Sequence, residues 1–187
     1  MIPEYFDYQR ASSVSEAISL LQQYGDSAKI LAGGHSLVPT MKLRLSTPET
    51  LIDIGGISEL KYINDKGDYL AIGSGTTHWM IESSNLIQNK APGLSQTASQ
   101  IGDVQVRNRG TIGGVLAHSD PQADYPGVVL ALDATIVAHG SSGERGSIIA
   151  TIAMSKNDDL DMWDRDFSFC PRLEPDYMLY FQAYVPG

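Results

Sequence analysis

Two segments with paired glycines constrain the fold of this chain more than any other feature. They are Ala32-Gly33-Gly34-His35-Ser36-Leu37 and Gly110-Thr111-Ile112-Gly113-Gly114. Glycine has no Cβ, so the backbone can approach another group closely, and free amides at the start of a following helix point toward an anion. One such pair usually marks a plain turn. Two of them in 187 residues fit a dinucleotide whose diphosphate is held from two sides.

Residues 1–55 have the pattern of a small βαβ unit. Ser13 and Glu16 have the spacing of a capping box, in which Ser13 caps a helix and Glu16 bonds to the Ser13 amide. Apolar residues at helical spacing predict this helix over 14–24, and Gly25 suits its carboxyl end. The remaining elements are predicted as a strand, a helix and a strand, at 28–31, 36–45 and 50–54.

Residues 56–187 are expected to form a second unit of α+β type. Asp65-Lys66-Gly67-Asp68 is a turn sequence between two strand-like runs, which predicts a hairpin. Residues 103–126 are expected to form a loop. Periodicity predicts the other elements, with helices at 78–87, 92–101 and 126–132 and strands at 134–138, 147–152 and 178–185.

Composition excludes several classes of protein. The single cysteine, Cys170, excludes an internal disulfide and an iron-sulfur cluster held by this chain alone, and the spacing of the histidines predicts no metal site. A net charge of -9 disfavours nucleic acid. No apolar run reaches the roughly 20 residues of a membrane span, and the start lacks a signal peptide, so we expect a cytoplasmic location.

Polar residues accompany the second glycine segment. The Thr111 hydroxyl can donate to a phosphate, and Asp120 or Asp124 can accept from ribose or flavin N–H groups. Where the bound dinucleotide is a redox cofactor such as a flavin, the chemistry belongs to the cofactor, and a protein that binds and orients it needs no catalytic acid or base. We therefore expect no catalytic residue in this chain.

Together these segments resemble the FAD-binding medium subunit of molybdenum hydroxylases. The likeness includes Ile2-Pro3 and Phe6-Asp7-Tyr8 near the start, both glycine segments, and residues 107–126. Within that family the chain looks most like the carbon monoxide dehydrogenase medium subunit, which is related to the flavin domain of xanthine dehydrogenase. The resemblance runs from residue 1 to about 146 and keeps the order and spacing of the motifs.

The resemblance implies an FAD-binding fold of the PCMH or vanillyl-alcohol-oxidase type, with FAD between two subdomains, residues 1–55 and 56–187. The residues that it implies for cofactor binding are Ala32, Gly33, Gly34, His35, Ser36, Leu37, Thr111, Ile112, Gly113, Gly114, His118, Asp120, Asp124, Met178 and Leu179. We expect Gly33→Val and Gly113→Val to abolish flavin binding and leave the fold intact, because a Cβ would fill the space for phosphate.

The resemblance also implies partners. In the family, a molybdopterin large subunit oxidises the substrate and an iron-sulfur small subunit passes the electrons to FAD, which delivers them to NAD, a quinone or oxygen. The chain would then be an oxidoreductase subunit that is inactive alone on substrate.

Two departures from the family favour an alternative. Val115 stands where the family usually has Asn, and residues 147–172 match the family poorly. We also expect the carboxy-terminal domain of the family to be absent, since the sequence ends at Gly187. The alternative is a non-catalytic assembly module that no longer binds flavin.

A second alternative is a serine hydrolase with Ser36 as its nucleophile. Gly34-His35-Ser36-Leu37-Val38 resembles the Gly-x-Ser-x-Gly elbow and lies between a predicted strand and helix. However, Val38 replaces the last glycine, and only about one strand precedes the segment, which disfavours this interpretation.

Overall fold

The computed structural model describes residues 2–120, 122–140 and 143–148 and two short strands near the end of the chain. The helices in this part are α1 (Val14–Tyr24), α2 (Leu37–Lys42), α3 (His78–Glu82), α4 (Asn85–Lys90), α5 (Pro92–Gln100), α6 (Val104–Arg109), α7 (Ile112–His118) and α8 (Tyr125–Ala131). The strands are β1 (Asp7–Arg10), β2 (Ala28–Leu31), β3 (Thr50–Asp53), β4 (Ile63–Asp65), β5 (Tyr69–Ile72), β6 (Thr135–Gly140), β7 (Gly143–Ile148), β8 (Tyr177–Met178) and β9 (Val185–Pro186).

The first sheet is parallel, with the order β1-β3-β2. Helix α1 connects β1 to β2, and α2 connects β2 to β3. Strand β3 lies between the other two strands. The apolar stripe of α1 is buried with the strands in one core, which extends past β3 to Ile57 and Leu60. Because all three strands run the same way, their carboxyl ends meet at one edge of the sheet, where Arg10, Leu31 and Asp53 lie.

Helix α1 has the predicted bounds, and its capping differs in one detail. The Ser13 Oγ accepts a hydrogen bond from the Glu16 amide at 3.1 Å, as the capping box requires. The prediction that Glu16 bonds to the Ser13 amide is wrong, since its Oε2 accepts from the Ser12 amide at 2.7 Å and from the Ser12 hydroxyl at 2.5 Å. Gly25 ends the helix with a φ of +52°.

The other sheets are antiparallel. Strands β4 and β5 form the predicted hairpin, whose turn contains Gly67 at a φ of +87°. Strand β9 pairs with β5, and β6 lies between β7 and β8. The predicted strand at 147–152 is only partly described, because residues 149–152 lie outside the described residues. The same holds for residues 149–172 of the segment 147–172, which we predicted to match the family poorly.

Two predictions about helices are wrong. The helix predicted at 78–87 is two helices, because Ser84 starts α4 by accepting a hydrogen bond from the Ile87 amide. The loop predicted at 103–126 contains α6 and α7, whose caps are the side chains of Asp103 and Thr111. Glycines inside α7 lowered its apparent helix propensity and concealed it.

The helices α3, α4, α5, α7 and α8 and strand β5 share a second core, in which Tyr125 is the largest fully buried side chain. A parallel sheet, antiparallel hairpins and separate helices make an α+β arrangement, as predicted. The division into subdomains at residue 55 stays a prediction. None of the described helices is long and apolar enough to cross a membrane.

Candidate functional site

The two glycine segments lie against each other. A Cβ on Gly33 would be only 2.2 Å from the carbonyl oxygen of Arg109 and 2.9 Å from the Cα of Gly110. Real Cβ atoms do not approach backbone this closely, so only glycine allows the turn after β2 to contact the end of α6. The contact places the first segment beside the start of the second one.

The first segment presents free amides. Within the described part of the chain, no oxygen accepts a hydrogen bond from the backbone amides of residues 33–37. Gly34 has a φ of +80°, and His35 and Ser36 are exposed to solvent. Consecutive amides around a left-handed residue form a concavity that binds anions. This segment therefore has the donors that a phosphate group needs.

The second segment uses its amides inside the chain. The Ile112 amide donates to the Thr76 carbonyl at 3.0 Å, and the Gly113 amide donates to the Ser74 carbonyl at 3.0 Å. The Gly114 amide donates to the Thr111 Oγ1 at 3.1 Å. Contacts from these residues to a ligand stay a prediction, and their amide protons are not available for such contacts.

A pocket of about 310 Å³ opens at the carboxyl edge of the parallel sheet. Ala32, Gly33 and Gly34 line one side, Gly55 and Gly56 line another, and Thr111 belongs to a third. The pocket is thus built by the turn after β2, the turn after β3 and the start of α7. Ligands of open sheets with parallel strands bind at this kind of edge.

Charged residues that the sequence did not single out also line the pocket. They are Arg10 at the end of β1, Asp53 at the end of β3, and Lys61. Arg109 lines it as well, whereas Arg107 lies 2.9 Å from Glu82 in an ion pair. Part of this signal was present in the sequence, since glycines follow both predicted strands of this unit, whereas strand β1, which ends at Arg10, was not predicted.

A buried histidine lies behind the second segment. The His78 amide donates to the Gly110 carbonyl at 3.1 Å, and a Cβ on Gly110 would lie 2.6 Å from the ring Nε2. The ring Nδ1 is 3.3 Å from the hydroxyl of Tyr125. Burial, with smaller effects from His35 and Arg107, lowers the pKa of His78 from 6.5 to about 4. Burial likewise raises the pKa of Tyr125 far above its usual range.

The other residues predicted for the site lie outside the pocket lining. His35, Ser36 and Leu37 are the last residues of the first segment and lead into α2. His118 ends α7, Asp120 accepts a hydrogen bond from the Gln122 amide at 2.9 Å, and Asp124 precedes α8. These last three are exposed. Met178 pairs with His139 in the β8–β6 ladder, whereas its side chain and Leu179 lie outside the described residues.

The arrangement around Ser36 gives a hydrolase no support. No hydrogen bond joins the Ser36 hydroxyl to a histidine ring in the residues that the structure describes. The Val38 Cγ2 lies 3.2 Å from the point where Gly34 would carry a Cβ, so the bulk of this valine fills the turn. In the same described part, no three His, Cys, Asp or Glu residues form a group that could hold a metal ion.

A family model and individual sequence relatives of this chain indicate the same family. Residues 4–158 match the family described as FAD binding domain in molybdopterin dehydrogenase. The chain is similar to the carbon monoxide dehydrogenase medium chain of Hydrogenophaga pseudoflava, at 48% identity over 78% of this chain and 50% of that one. It is also similar to the 6-hydroxypseudooxynicotine dehydrogenase complex subunit alpha of Paenarthrobacter nicotinovorans, at 47% identity over 78% of this chain and 49% of that one.

Solved structures agree with the sequence relatives. Carbon monoxide dehydrogenase from Hydrogenophaga pseudoflava, in a form that lacks the Mo-pyranopterin moiety of its cofactor, matches with a TM-score of 0.84 and 40% identity. That match covers 100% of this chain and 61% of the other. Quinoline 2-oxidoreductase from Pseudomonas putida 86 matches with a TM-score of 0.83 and 30% identity, over 100% of this chain and 60% of the other. The chain spans about half the length of the curated relatives it matches.

The close approaches at Gly33 and Gly113 predict a loss of stability when a side chain is added at either position. We expect Gly33→Ala and Gly113→Ala each to lower the free energy of unfolding by about 1–3 kcal/mol, because their Cβ atoms would overlap Arg109 and Ser74. An added Cβ at Gly33 or Gly113 would meet the chain itself, which the expectation of an intact fold did not take into account. The loss of flavin binding on substitution stays a prediction. Urea unfolding measures the effect.

Gly127→Ala is the matched control for this test. Gly127 lies inside α8 with nothing within 4 Å of its added Cβ, so alanine there is neutral or stabilises by up to about 1 kcal/mol. Equal unfolding free energies for the three variants would contradict the packing role of Gly33 and Gly113.

The pKa of His78 predicts a pH dependence of stability. The unfolded ring takes up its proton near pH 6.5 and the folded ring only near pH 4, so stability is fully present above pH 6.5 and falls as the pH drops toward 4. We expect this histidine to account for a loss of about 2–3 kcal/mol over that range. Urea unfolding at a series of pH values measures it.

Three variants test whether His78 causes this dependence of the unfolding free energy on pH. His78→Gln should remove the contribution, and His118→Gln, at an exposed position, should retain it. Tyr125→Phe should also retain most of it, because burial is the largest cause of the lowered pKa of His78. An unchanged slope in His78→Gln would show that other groups produce the pH dependence.

Proposed function

The chain belongs to the family of FAD-binding domains of molybdopterin dehydrogenases, and on this basis we propose that it binds FAD with the diphosphate at the pocket described above. The observation that carries the proposal is the row of free amides at residues 33–37. Gly33 and Gly34 line a pocket at the carboxyl edge of a parallel sheet, and residues 35–37 follow them along the chain. Sheets of this kind bind nucleotides at that edge.

The residues present fit the cofactor. A diphosphate is anionic and needs several donors, and hydrogen bonds from backbone amides to charged oxygens contribute about 1.5–3 kcal/mol each. The pocket has a volume of about 310 Å³, which is at the lower end of the range for small-molecule sites. Part of a dinucleotide therefore fits there, and the rest of FAD extends over neighbouring surface.

We assign roles to the predicted residues on this basis. The amides of residues 33–37 hold the diphosphate, and the Thr111 hydroxyl, whose proton is not used within its capping bond, donates to it from the opposite wall. Asp120 and Asp124 accept from ribityl or flavin N–H groups. His118, Met178 and Leu179 complete the set on the strength of the family resemblance alone.

The proposal includes a place in an electron-transfer chain. Bound FAD supplies the redox chemistry, and the chain's own residues bind it, orient it and limit access of water. These 187 residues contain a single cysteine and cannot hold an iron-sulfur cluster alone, and we assign the cluster that delivers electrons to a separate subunit. The proposed partners are an iron-sulfur small subunit and a molybdopterin large subunit, with NAD, a quinone or oxygen as the final acceptor. We place the assembled protein in the cytoplasm.

A flavin-free assembly module is the second candidate, and one observation favours it. Val115 packs against the second core, at the position where the family usually has a polar residue. This side chain therefore gives no polar contact to a cofactor.

Flavin binding separates the two candidates. We expect the purified chain to bind one FAD, with quenching of flavin fluorescence on titration, and to bind riboflavin at least about tenfold more weakly, since riboflavin lacks the diphosphate. Gly34→Ala should lower FAD affinity about tenfold, because Gly34 has a φ of +80° and alanine would move the amides.

Gly67→Ala is the control, with the same kind of strain at a φ of +87° in the β4–β5 turn. It should leave FAD affinity unchanged, because Gly67 is not part of the pocket lining. A chain that stays colourless and gives no fluorescence change with FAD would establish the assembly module and refute flavin binding.

Electron transfer requires the proposed partners. We expect the flavin absorbance to bleach anaerobically when substrate is added to the chain reconstituted with an iron-sulfur subunit and a molybdopterin subunit. Carbon monoxide, a purine and an aromatic acid are the substrates to compare. The flavin-loaded chain alone should not bleach with any of them, because the proposal assigns the oxidation of substrate to the molybdopterin subunit. Bleaching by the chain alone would contradict this assignment.

A further inference from the structure

We propose that Arg10 and Lys61, which lie outside both glycine segments, form a cationic wall that holds the diphosphate of the cofactor opposite the amides of residues 33–37. The inference rests on the proposed function, since it assumes that FAD occupies this pocket. It assigns the recognition of charge to side chains and explains why Gly56 carries no side chain.

Arg10 lies across the turn that follows β3. It is the last residue of β1 and pairs in register with Asp53. A Cβ on Gly56 would be 2.9 Å from its Nη2 and 3.0 Å from its Nε, so the guanidinium rests on the glycine backbone. No hydrogen bond or ion pair to another described residue occupies this guanidinium. Its N–H donors are therefore available to a ligand.

Asp53 does not neutralise this arginine. Its Oδ1 accepts a hydrogen bond from the Gly55 amide at 2.7 Å, and its Oδ2 accepts one from the Tyr8 hydroxyl. Both carboxylate oxygens thus have neutral donors from elsewhere in the chain. Asp53 shapes the turn over which Arg10 lies and leaves the positive charge of Arg10 unpaired.

Lys61 supplies the second cation. Its Nζ donates to the Gly55 carbonyl at 2.5 Å, which fixes the ammonium beside the same turn. An ammonium has three donors, so two remain for a ligand. No carboxylate pairs with Lys61 among the described residues. The turn at Gly55 and Gly56 therefore contacts two cations that form no ion pair with a described carboxylate.

The local charge is opposite to that of the chain as a whole. Three cations and one carboxylate line the pocket, whereas the chain has a net charge of -9. A positive pocket on a negative protein attracts an anion to that place. Both cations face the negative diphosphate of FAD. Riboflavin has no phosphate group, so it offers no negative charge to them. The wall thus distinguishes the dinucleotide from the free vitamin.

Charge removal tests the inference. Arg10→Ala and Lys61→Ala should each weaken binding of FAD and of ADP about tenfold at low salt and leave riboflavin binding unchanged. The difference from the unmodified chain should shrink at high salt, because both side chains are exposed and screened. Arg44→Ala and Lys66→Ala remove the same charges away from the pocket and should leave all three affinities unchanged.

Gly56→Ala tests the position of the guanidinium with every charge retained. The added Cβ would displace the flexible end of Arg10, so FAD affinity should fall about as much as in Arg10→Ala. In the Arg10→Ala background the same change should have no further effect. A further loss in that background would mean that the Cβ blocks the ligand directly, which contradicts the proposed position of Arg10.

The outcomes separate this inference from the proposed function. If the unmodified chain binds no FAD, both the proposed function and this inference are refuted. If FAD binds and the affinities of Arg10→Ala and Lys61→Ala match those of their controls, the proposed function stands and the cationic wall is refuted. An equal loss of riboflavin binding in these variants would also refute it, because that loss indicates a change of pocket shape.

Discussion

At Gly33 the turn after β2 lies so close to the carbonyl of Arg109 that no side chain fits between them. The same kind of contact recurs at Gly113 against Ser74 and at Gly73 against the Leu60 carbonyl. In each case the absence of a side chain on the glycine allows its backbone to contact another part of the chain directly. These approaches bring the parallel sheet, the segment after β5 and the start of α7 together around one pocket.

The two glycine segments therefore have different physical roles. The second one is anchored, because its amides bond to carbonyls at Ser74 and Thr76 and to the Thr111 side chain. The first one rests on this anchored backbone and keeps its own amides free. A loop with unsatisfied donors needs a rigid neighbour to hold it in place, since each free donor gains from turning toward any available acceptor. The anchored segment supplies that rigidity.

The sequence predicted the elements whose signals are local. Helix α1 has its predicted bounds because Ser13 caps it and its apolar stripe has helical spacing. Helix α7 escaped prediction because its paired glycines disfavour helix locally, and packing against the rest of the chain outweighs that preference. Helix α6 contains no glycine and was included in the predicted loop, although Asp103 caps it. The glycines themselves were correctly identified as positions that need close approach. At Gly33 and Gly113 the close approach is to distant residues of the chain itself, and the approach of these segments to a phosphate stays a prediction.

The charged residues of the pocket come together through the order of the strands, and no single sequence motif contains all of them. Arg10, the first glycine segment and the Asp53 turn are far apart in the sequence, and only the parallel order β1-β3-β2 brings their strand ends to one edge. The spacing within each segment carries no information about that order. Knowledge that the strands are parallel would have been sufficient, because residues that end parallel strands share an edge. In this fold the ligand site follows from strand direction, and the glycines determine how closely its walls can approach.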